Sequence, residues 1–384
     1  MSGTSYEQGT PDSPASAVPT GVKYRRISNE LRSAILAGKY PEGTRIPSEA
    51  ELGKTFGASR LTVARALREL QLEGLVSRRA GSGTYACRPK AVAGHVFGLL
   101  IPDFGRTEIF EPICRGMMDA PHASSHSLLW GPSSTSNPPS GEQALQLCQQ
   151  YIAKRVSGIF FAPLELVPDM DEVNNRIIES LAQAEIPVIL LDRCFLPYPN
   201  RSQYDLIGID NRRAGYMVTQ HLLKLGCKRI SFLARAHSAN TVDARIAGYR
   251  EALFLYGVPC LPEWVLRGDP SDTDFIRRAL AEAPTEAFVC ANDHTAAHLM
   301  RSLFTLGFRV PEDIRIVGID DVKYASLLQV PLTTLHQPCE EIGAAALSAM
   351  LERVNYPGTP TKDILLPVKL VVRESCGAAR GAVS

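Results

Sequence analysis

The side chains with the clearest chemical capacity crowd into one short stretch. Between positions 23 and 90 the chain carries 14 Lys and Arg against six Asp and Glu, a net charge of +8, whereas residues 91–384 sum to −5. A basic head on a mildly acidic body is suited to meeting a polyanion through the head alone. Within that head Ser59, Arg60 and Thr62 stand at the start of an apolar-periodic segment, with Arg65 a turn further on. A guanidinium in that position can bond the O6/N7 edge of a guanine in bidentate fashion, or a phosphate; the hydroxyls can reach either. Downstream, Arg78 and Arg79 precede Gly81 and Gly83, whose missing side chains permit close backbone approach to a ligand; Arg68 and Arg79 fit a solvated outer face equally well. Catalytic chemistry finds little footing. There is no P-loop, no G-x-S-x-G, no G-x-G-x-x-G after a strand and no C-x-x-C. His294 and His298 share a helix face, but the glutamate of an H-E-x-x-H zinc motif is missing. The nine cysteines are scattered and read as reduced thiols. The expectation is a protein that is not an enzyme and carries no metal or cofactor.

The elements that must position these residues can be read from periodicity and punctuation. Residues 1–22, rich in Ser, Thr, Gly and Pro, are predicted to be a disordered tail. A helix is expected from Tyr24, with Ile27, Leu31, Ile35 and Leu36 on its apolar face, ending at Gly38. Ser48 with Glu51 forms a capping box for a second helix whose apolar face is Leu52 and Phe56. After the turn Gly57-Ala58-Ser59 a third helix is predicted from Arg60 to Glu73, with Leu61, Ala64, Leu67 and Leu70 on one side. Leu75–Arg79 and Thr84–Ala86, joined by a glycine turn, read as a hairpin. Three helices and a hairpin over 23–88 make a winged helix-turn-helix, an α+β domain. Residues 89–95 are expected to be a linker, and strands alternate with helices over 96–376. That alternation over roughly 280 residues predicts an α/β body of two doubly wound lobes rather than one sheet. Residues 377–384 form an expected second tail. No apolar run approaches the ~20 residues of a membrane helix, and residues 1–22 lack the basic and apolar regions of a signal peptide. A cytoplasmic location with no membrane partner is expected.

The stretch "PEGTRIPSEAELGKTFGASRLTVARALRELQLEGLVSRRAGSGTYA" resembles the DNA-binding domain of the GntR family over its whole length. The resemblance implies contact with double-stranded operator DNA through Arg45, Ser48, Ser59, Arg60, Thr62, Arg65, Arg78, Gly81 and Gly83. Where that family often carries arginine, this chain has Ala50 and Ala64. Residues 95–376 are similar to the effector domain of the LacI/GalR family, which has a periplasmic-binding-protein-like fold of type I. The pieces that carry the likeness are "IPVILLDR", "GIDNRRAGYMVTQHLLKLGCKRISFL", "ARIAGYREAL", "CANDHTAAHLMRSLFTLGFRVPEDIRIVGIDD" and "PLTTLHQP". The headpiece and hinge helix usual in that family are absent. This resemblance implies a small effector, a carbohydrate in expectation, held between the lobes by Phe104, Asp192, Arg193, Arg245, Asn292, Asp320 and Gln337, with Phe110 as a further apolar face. Other roles fit the same residues: Asn292 or Asp293 as a helix cap, Asp320 as a turn former, Arg245 as an ion-pair partner. Together the resemblances imply a homodimeric transcriptional regulator, in expectation a repressor. The rival reading, a solute-binding protein without a role at DNA, asks for a signal peptide and no winged helix.

Overall fold

A computed structural model of the chain describes residues 20–72, 74–79, 82–87, 94–101, 108–121, 123–131 and 141–378. The chain divides into two compact units, residues 1–93 and 94–384. In the first, α1 (Thr20–Leu36), α2 (Glu49–Phe56) and α3 (Arg60–Leu72) precede the antiparallel hairpin of β1 (Val76–Arg79) and β2 (Gly83–Ala86). α1 starts at Thr20, so residues 20–22, expected in the tail, extend the helix. Ser48 caps α2 through the predicted capping box, and Gly57, at φ 56°, ends it in a left-handed conformation that glycine adopts without strain. The core collects Ile27, Leu31 and Ile35 from α1, Leu52 from α2, and Val63, Ala66, Leu67 and Leu70 from α3. That last set corrects the expected face of the third helix. Positions 63, 66, 67 and 70 follow the i, i+3, i+4, i+7 pattern of a buried stripe, and Leu61 lies ~200° around the helix from Val63. Leu61 is accordingly 84% exposed.

The second unit is built from two parallel sheets. The first lobe holds β3 (Val96–Leu100), α4 (Phe110–Asp119), β4 (Ser127–Trp130), α5 (Gly141–Ala153), β5 (Gly158–Phe161), α6 (Met170–Gln183), β6 (Val188–Leu191) and β7 (Asp205–Ile209). The second holds α7 (Asn211–Lys224), β8 (Ile230–Ala234), α8 (Asn240–Leu255), β9 (Val265–Arg267), α9 (Thr273–Glu282), β10 (Ala287–Cys290), α10 (Asp293–Thr305) and β11 (Arg315–Val317). Then β12 (Thr334–His336) leads to α11 (Cys339–Asn355) and β13 (Asp363–Leu366), which return to the first lobe, before β14 (Lys369–Val371) pairs antiparallel with β12. Strand order is β13-β7-β6-β5-β3-β4 in one sheet and β11-β10-β8-β9 in the other. β5, β6, β8 and β10 are buried along their whole length, as strands covered by helices on both faces must be. The chain therefore passes between the lobes after β7, after β12 and between β13 and β14. His95 belongs to this unit rather than to a linker: its backbone N–H donates to His126 Nδ1 at 3.2 Å and its ring stacks on Phe97.

One close approach positions a site residue. A Cβ on Gly215 of α7 would sit 2.0 Å from the Arg245 carbonyl oxygen, and one on Gly248 of α8 would sit 1.8 Å from that of Arg212. Only glycine lets these two helices touch backbone to backbone, which places Arg245 against the start of α7.

Candidate functional site

In the first unit the exposed start of α3 is linked to the hairpin through α2. Ser59 caps α3, accepting from the Thr62 N–H at 3.3 Å while the two hydroxyls lie 2.8 Å apart. Thr62 is only 6% exposed, so the expectation that its side chain reaches bases or phosphates is corrected: it is part of the cap. Arg60 is 87% exposed and donates from Nε to Glu49 at 3.1 Å; Arg78 on β1 is held by the other oxygen of the same carboxylate. Glu49 thus ties the start of α3 to the hairpin. Arg65 turns away from this cluster, its guanidinium 4.2 Å over the Tyr24 ring of α1. Residues 44–46 run beside β2, with Ile46 N–H donating to Thr84 and Arg45 bridged to Tyr85. The Arg45 side chain lies across Gly83, where a Cβ would stand 2.7 Å from its Nε. Ser48 faces inward to its capping partner Glu51, donating from Oγ at 2.7 Å. Gly81 lies outside the described residues. Two residues escaped sequence reasoning: Glu49, whose role needs its two partners side by side, and Leu61, an apolar side chain in water beside Arg60.

In the second unit five of the expected residues meet at the carboxyl ends of the strands, where doubly wound sheets bind ligands. Asp192 and Arg193 follow β6; Asp320 follows β11; Gln337 follows β12; Arg245 reaches in from α8. Arg245 is buried and donates from Nε to Asn211 Oδ1 at 2.8 Å and from Nη1 to the Ala291 carbonyl at 2.5 Å, with Nη2 3.8 Å from Asp320. Arg193, also buried, donates to the Pro163 carbonyl at 2.7 Å, pairs with Glu165 and lies 3.6 Å from Asp192. Its guanidinium sits 5.5 Å from the Phe110 ring. Phe110 is fully buried, which makes it a floor for Arg193 instead of an open stacking face. Gln337 Nε2 donates to Asp320 Oδ1 at 2.5 Å.

Two atoms in this cluster stand out. Asp192 Oδ1 and Gln337 Oε1 are buried with no hydrogen-bond partner among the described residues. Each such acceptor costs about 1–3 kcal/mol until a donor arrives. Backbone strain gathers at the same place: Asp192, Asp320 and Asp321 adopt φ of 65°, 135° and 58°, left-handed values unfavourable for residues with a Cβ. Burial pushes the Asp192 and Asp320 carboxyls up from the usual carboxylate range, opposed in both by Arg245.

Asn292 caps α10 by accepting from the Thr295 N–H at 2.9 Å, so its side-chain oxygen serves the helix. Its neighbour Asp293, completely buried, accepts from Thr334 at 2.5 Å and from the Val322 N–H at 3.1 Å. It braces the strained turn that aims Asp320, and burial raises its pKa to about 6. Glu165, unnoticed in the sequence, links the lobes by accepting from the Ala239 N–H at 3.2 Å. Leu166 N–H to His237 O (2.6 Å) and Asn240 Nδ2 to Cys194 O (2.7 Å) cross the same boundary. Phe104 lies outside the described residues. His294 and His298 face each other, ring centroids 4.5 Å apart, and among the described residues no group of three or more potential ligands could hold a metal ion. No helix of the described residues is long and apolar enough to cross a membrane.

Residues 23–86 match the bacterial regulatory proteins of the gntR family, and residues 219–376 match the periplasmic binding protein-like domain. Together these matches give the chain a gntR-type DNA-binding region followed by a periplasmic-binding-protein-like domain, and its relatives over both regions are named as transcriptional repressors. Among its relatives, the arabinose metabolism transcriptional repressor of Geobacillus stearothermophilus is 29% identical over 369 residues, which span 92% of this chain and 97% of that one. The HTH-type transcriptional repressor PurR of Vibrio campbellii is 31% identical over 227 residues, 58% of this chain and 65% of that one. In fold the chain is similar to the transcriptional regulator CelR in its cellobiose complex, with a TM-score of 0.63 at 23% identity, covering 93% of this chain and 100% of that one.

Proposed function

We propose that this protein is a cytoplasmic repressor that binds a pseudo-palindromic operator as a homodimer and releases it when a small carbohydrate occupies the cleft of the second unit. The observation that carries the reading is the pair of buried acceptors without donors, Asp192 Oδ1 and Gln337 Oε1. A sugar hydroxyl can donate to each while accepting elsewhere, and planar carboxylate, amide and guanidinium groups are suited to adjacent hydroxyls. Their placement at the strand ends of two lobes, on strained backbone, agrees with a site held open for a ligand. The relative named for arabinose metabolism supports the same class.

At DNA, α3 enters the major groove with Arg60 foremost, while Arg78 and Arg45 on and beside the hairpin approach the phosphates. Phe254, Leu255, Tyr256 and Leu261 stand exposed on the second lobe, an apolar surface of the kind that pairs two copies. Sugar donates to Asp192 from one lobe and to Gln337 at the crossing to the other, so it changes how the Glu165–Ala239 and Asn240–Cys194 contacts are shared. A shift of the lobes is passed to the paired heads as a coupling free energy of about 1–3 kcal/mol.

The test uses the full-length chain on an operator selected from random duplexes. Aldopentoses including arabinose, aldohexoses, disaccharides and purine bases are each added in a retardation assay and a thermal-shift assay. The expected result is that one sugar raises the melting temperature and frees the DNA. Release by a purine alone, or by none of these compounds, overturns the carbohydrate reading and leaves the DNA reading standing.

A further inference from the structure

We propose that the cleft admits its effector only in uncharged form, and that phosphate esters of the same sugar are rejected; the proposal rests on the carbohydrate reading above. A cavity of about 580 Å³ opens on Asp320 and Gln337, and its wall carries Glu108, Glu111, Asp320, Asp321, Glu340 and Glu341. Lys323 and His336 are the bases on that wall, and both already face acids: Lys323 Nζ lies 3.9 Å from Glu111, and His336 Nδ1 lies 3.0 Å from Asp321.

The deeper cations are committed too. Arg193 is shared among Pro163, Glu165 and Asp192, and Arg245 among Asn211, Ala291 and Asp320. Three helix N-termini, the other common seat for a phosphate, carry acids in their first turns. Glu111 is in the first turn of α4, Asp293 in that of α10, and Glu340 and Glu341 in that of α11. Against this acidic wall, the two buried atoms that lack a partner are both acceptors. The site therefore asks its ligand to donate hydrogen bonds, and the cations on its wall and floor named above, Lys323, His336, Arg193 and Arg245, already face acids or carbonyls. An anion would also lose its hydration beside several carboxylates. In a reaction sequence, this protein reports a sugar before phosphoryl transfer and does not respond to the product of that transfer.

The experiment titrates the full-length chain by calorimetry with matched pairs: arabinose and arabinose 5-phosphate, ribose and ribose 5-phosphate, glucose and glucose 6-phosphate. The expected result is a neutral sugar that binds at least ~100-fold more tightly than its ester. The double variant Glu340→Lys/Glu341→Lys should narrow that ratio by roughly tenfold or more. An ester that binds as tightly as its parent sugar overturns the proposal and sustains the carbohydrate reading. Failure of every sugar and every ester, with operator binding intact, overturns both.

Discussion

The two units use the same pair of groups, guanidinium and carboxylate, under opposite conditions. Arg60 and Arg78 share Glu49 at the surface of the head, Arg60 with 87% of its side chain in water. Arg245 and Asp320 meet almost out of solvent in the body. An exposed pair is worth about 0–1 kcal/mol and is readily exchanged for another partner, here a phosphate or a guanine edge. A buried pair has lost its water and can release neither member without leaving a charge stranded. The head is built to change partners. The body keeps its charges fixed and leaves two neutral-looking needs, the acceptors of Asp192 and Gln337, for a ligand to meet.

The contrast can be broken at several points. Arg245→Met removes the cation that Asp320 and Asn211 share; it should cost about 3–5 kcal/mol of folding stability. Denaturant titration reads that loss, and the folded fraction should still bind operator while ignoring sugar. A normal sugar response in this variant would remove Arg245 from the site. Arg60→Ala should lower operator affinity by about 1–3 kcal/mol, relax the preference at one base pair and leave the melting temperature unmoved. A lowered melting temperature would mean that the Glu49 pairs are structural after all.

Acid should separate the units further. Burial raises Asp293 to about 6 from an ordinary value of 3.8. The stability contributed by its neutral form is thus full below 3.8 and lost as pH rises through about 6. The stability of wild type minus that of Asp293→Asn, which cannot take up that proton, should increase as pH falls from 7 to 5, by up to ~1.4 kcal/mol per unit. A difference that decreases over that range would show that the hydrogen bonds to Thr334 and Val322 outweigh burial. The smallest effect belongs to Leu61, which is suited to a thymine methyl beside the base that Arg60 reads. Leu61→Ala should weaken operator binding by about two- to fivefold, and the difference should disappear when that thymine is replaced by deoxyuridine. If it persists, Leu61 acts through the helix rather than through the base.

Local rules made much of the head legible. The Ser48–Glu51 capping box, the glycine that ends α2 and the start of α3 all depend on residues a few positions apart, and the structure places them as their chemistry predicts. Reading failed where the three-dimensional neighbour mattered. Leu61 looked like core because leucine is apolar, but Val63 and Ala66 set the buried stripe. The contact of the Arg65 guanidinium with the Tyr24 ring, 41 positions away, could not be read from spacing along α3. In the body, the resemblance pointed to Asp192, Arg193, Arg245, Asp320 and Gln337, which converge. It gave no sign that Glu165, Asn211 and Asp293 hold them in place, because those partners are 28, 34 and 41 positions from Arg193, Arg245 and Thr334.

The amino-acid sequence by itself determined that this chain has a basic winged helix-turn-helix followed by alternating strands and helices. Capping, turn chemistry and hydrophobic period act over distances of one to seven residues, and they need no tertiary context. Only the tertiary structure decided which polar atoms are left without partners. Whether Asp192 Oδ1 or Gln337 Oε1 finds a donor depends on which strands end side by side and on how closely Gly215 and Gly248 let α7 and α8 approach. Desolvation, which makes an unmet acceptor costly and a charged wall selective, is a property of the packed site and of no residue alone.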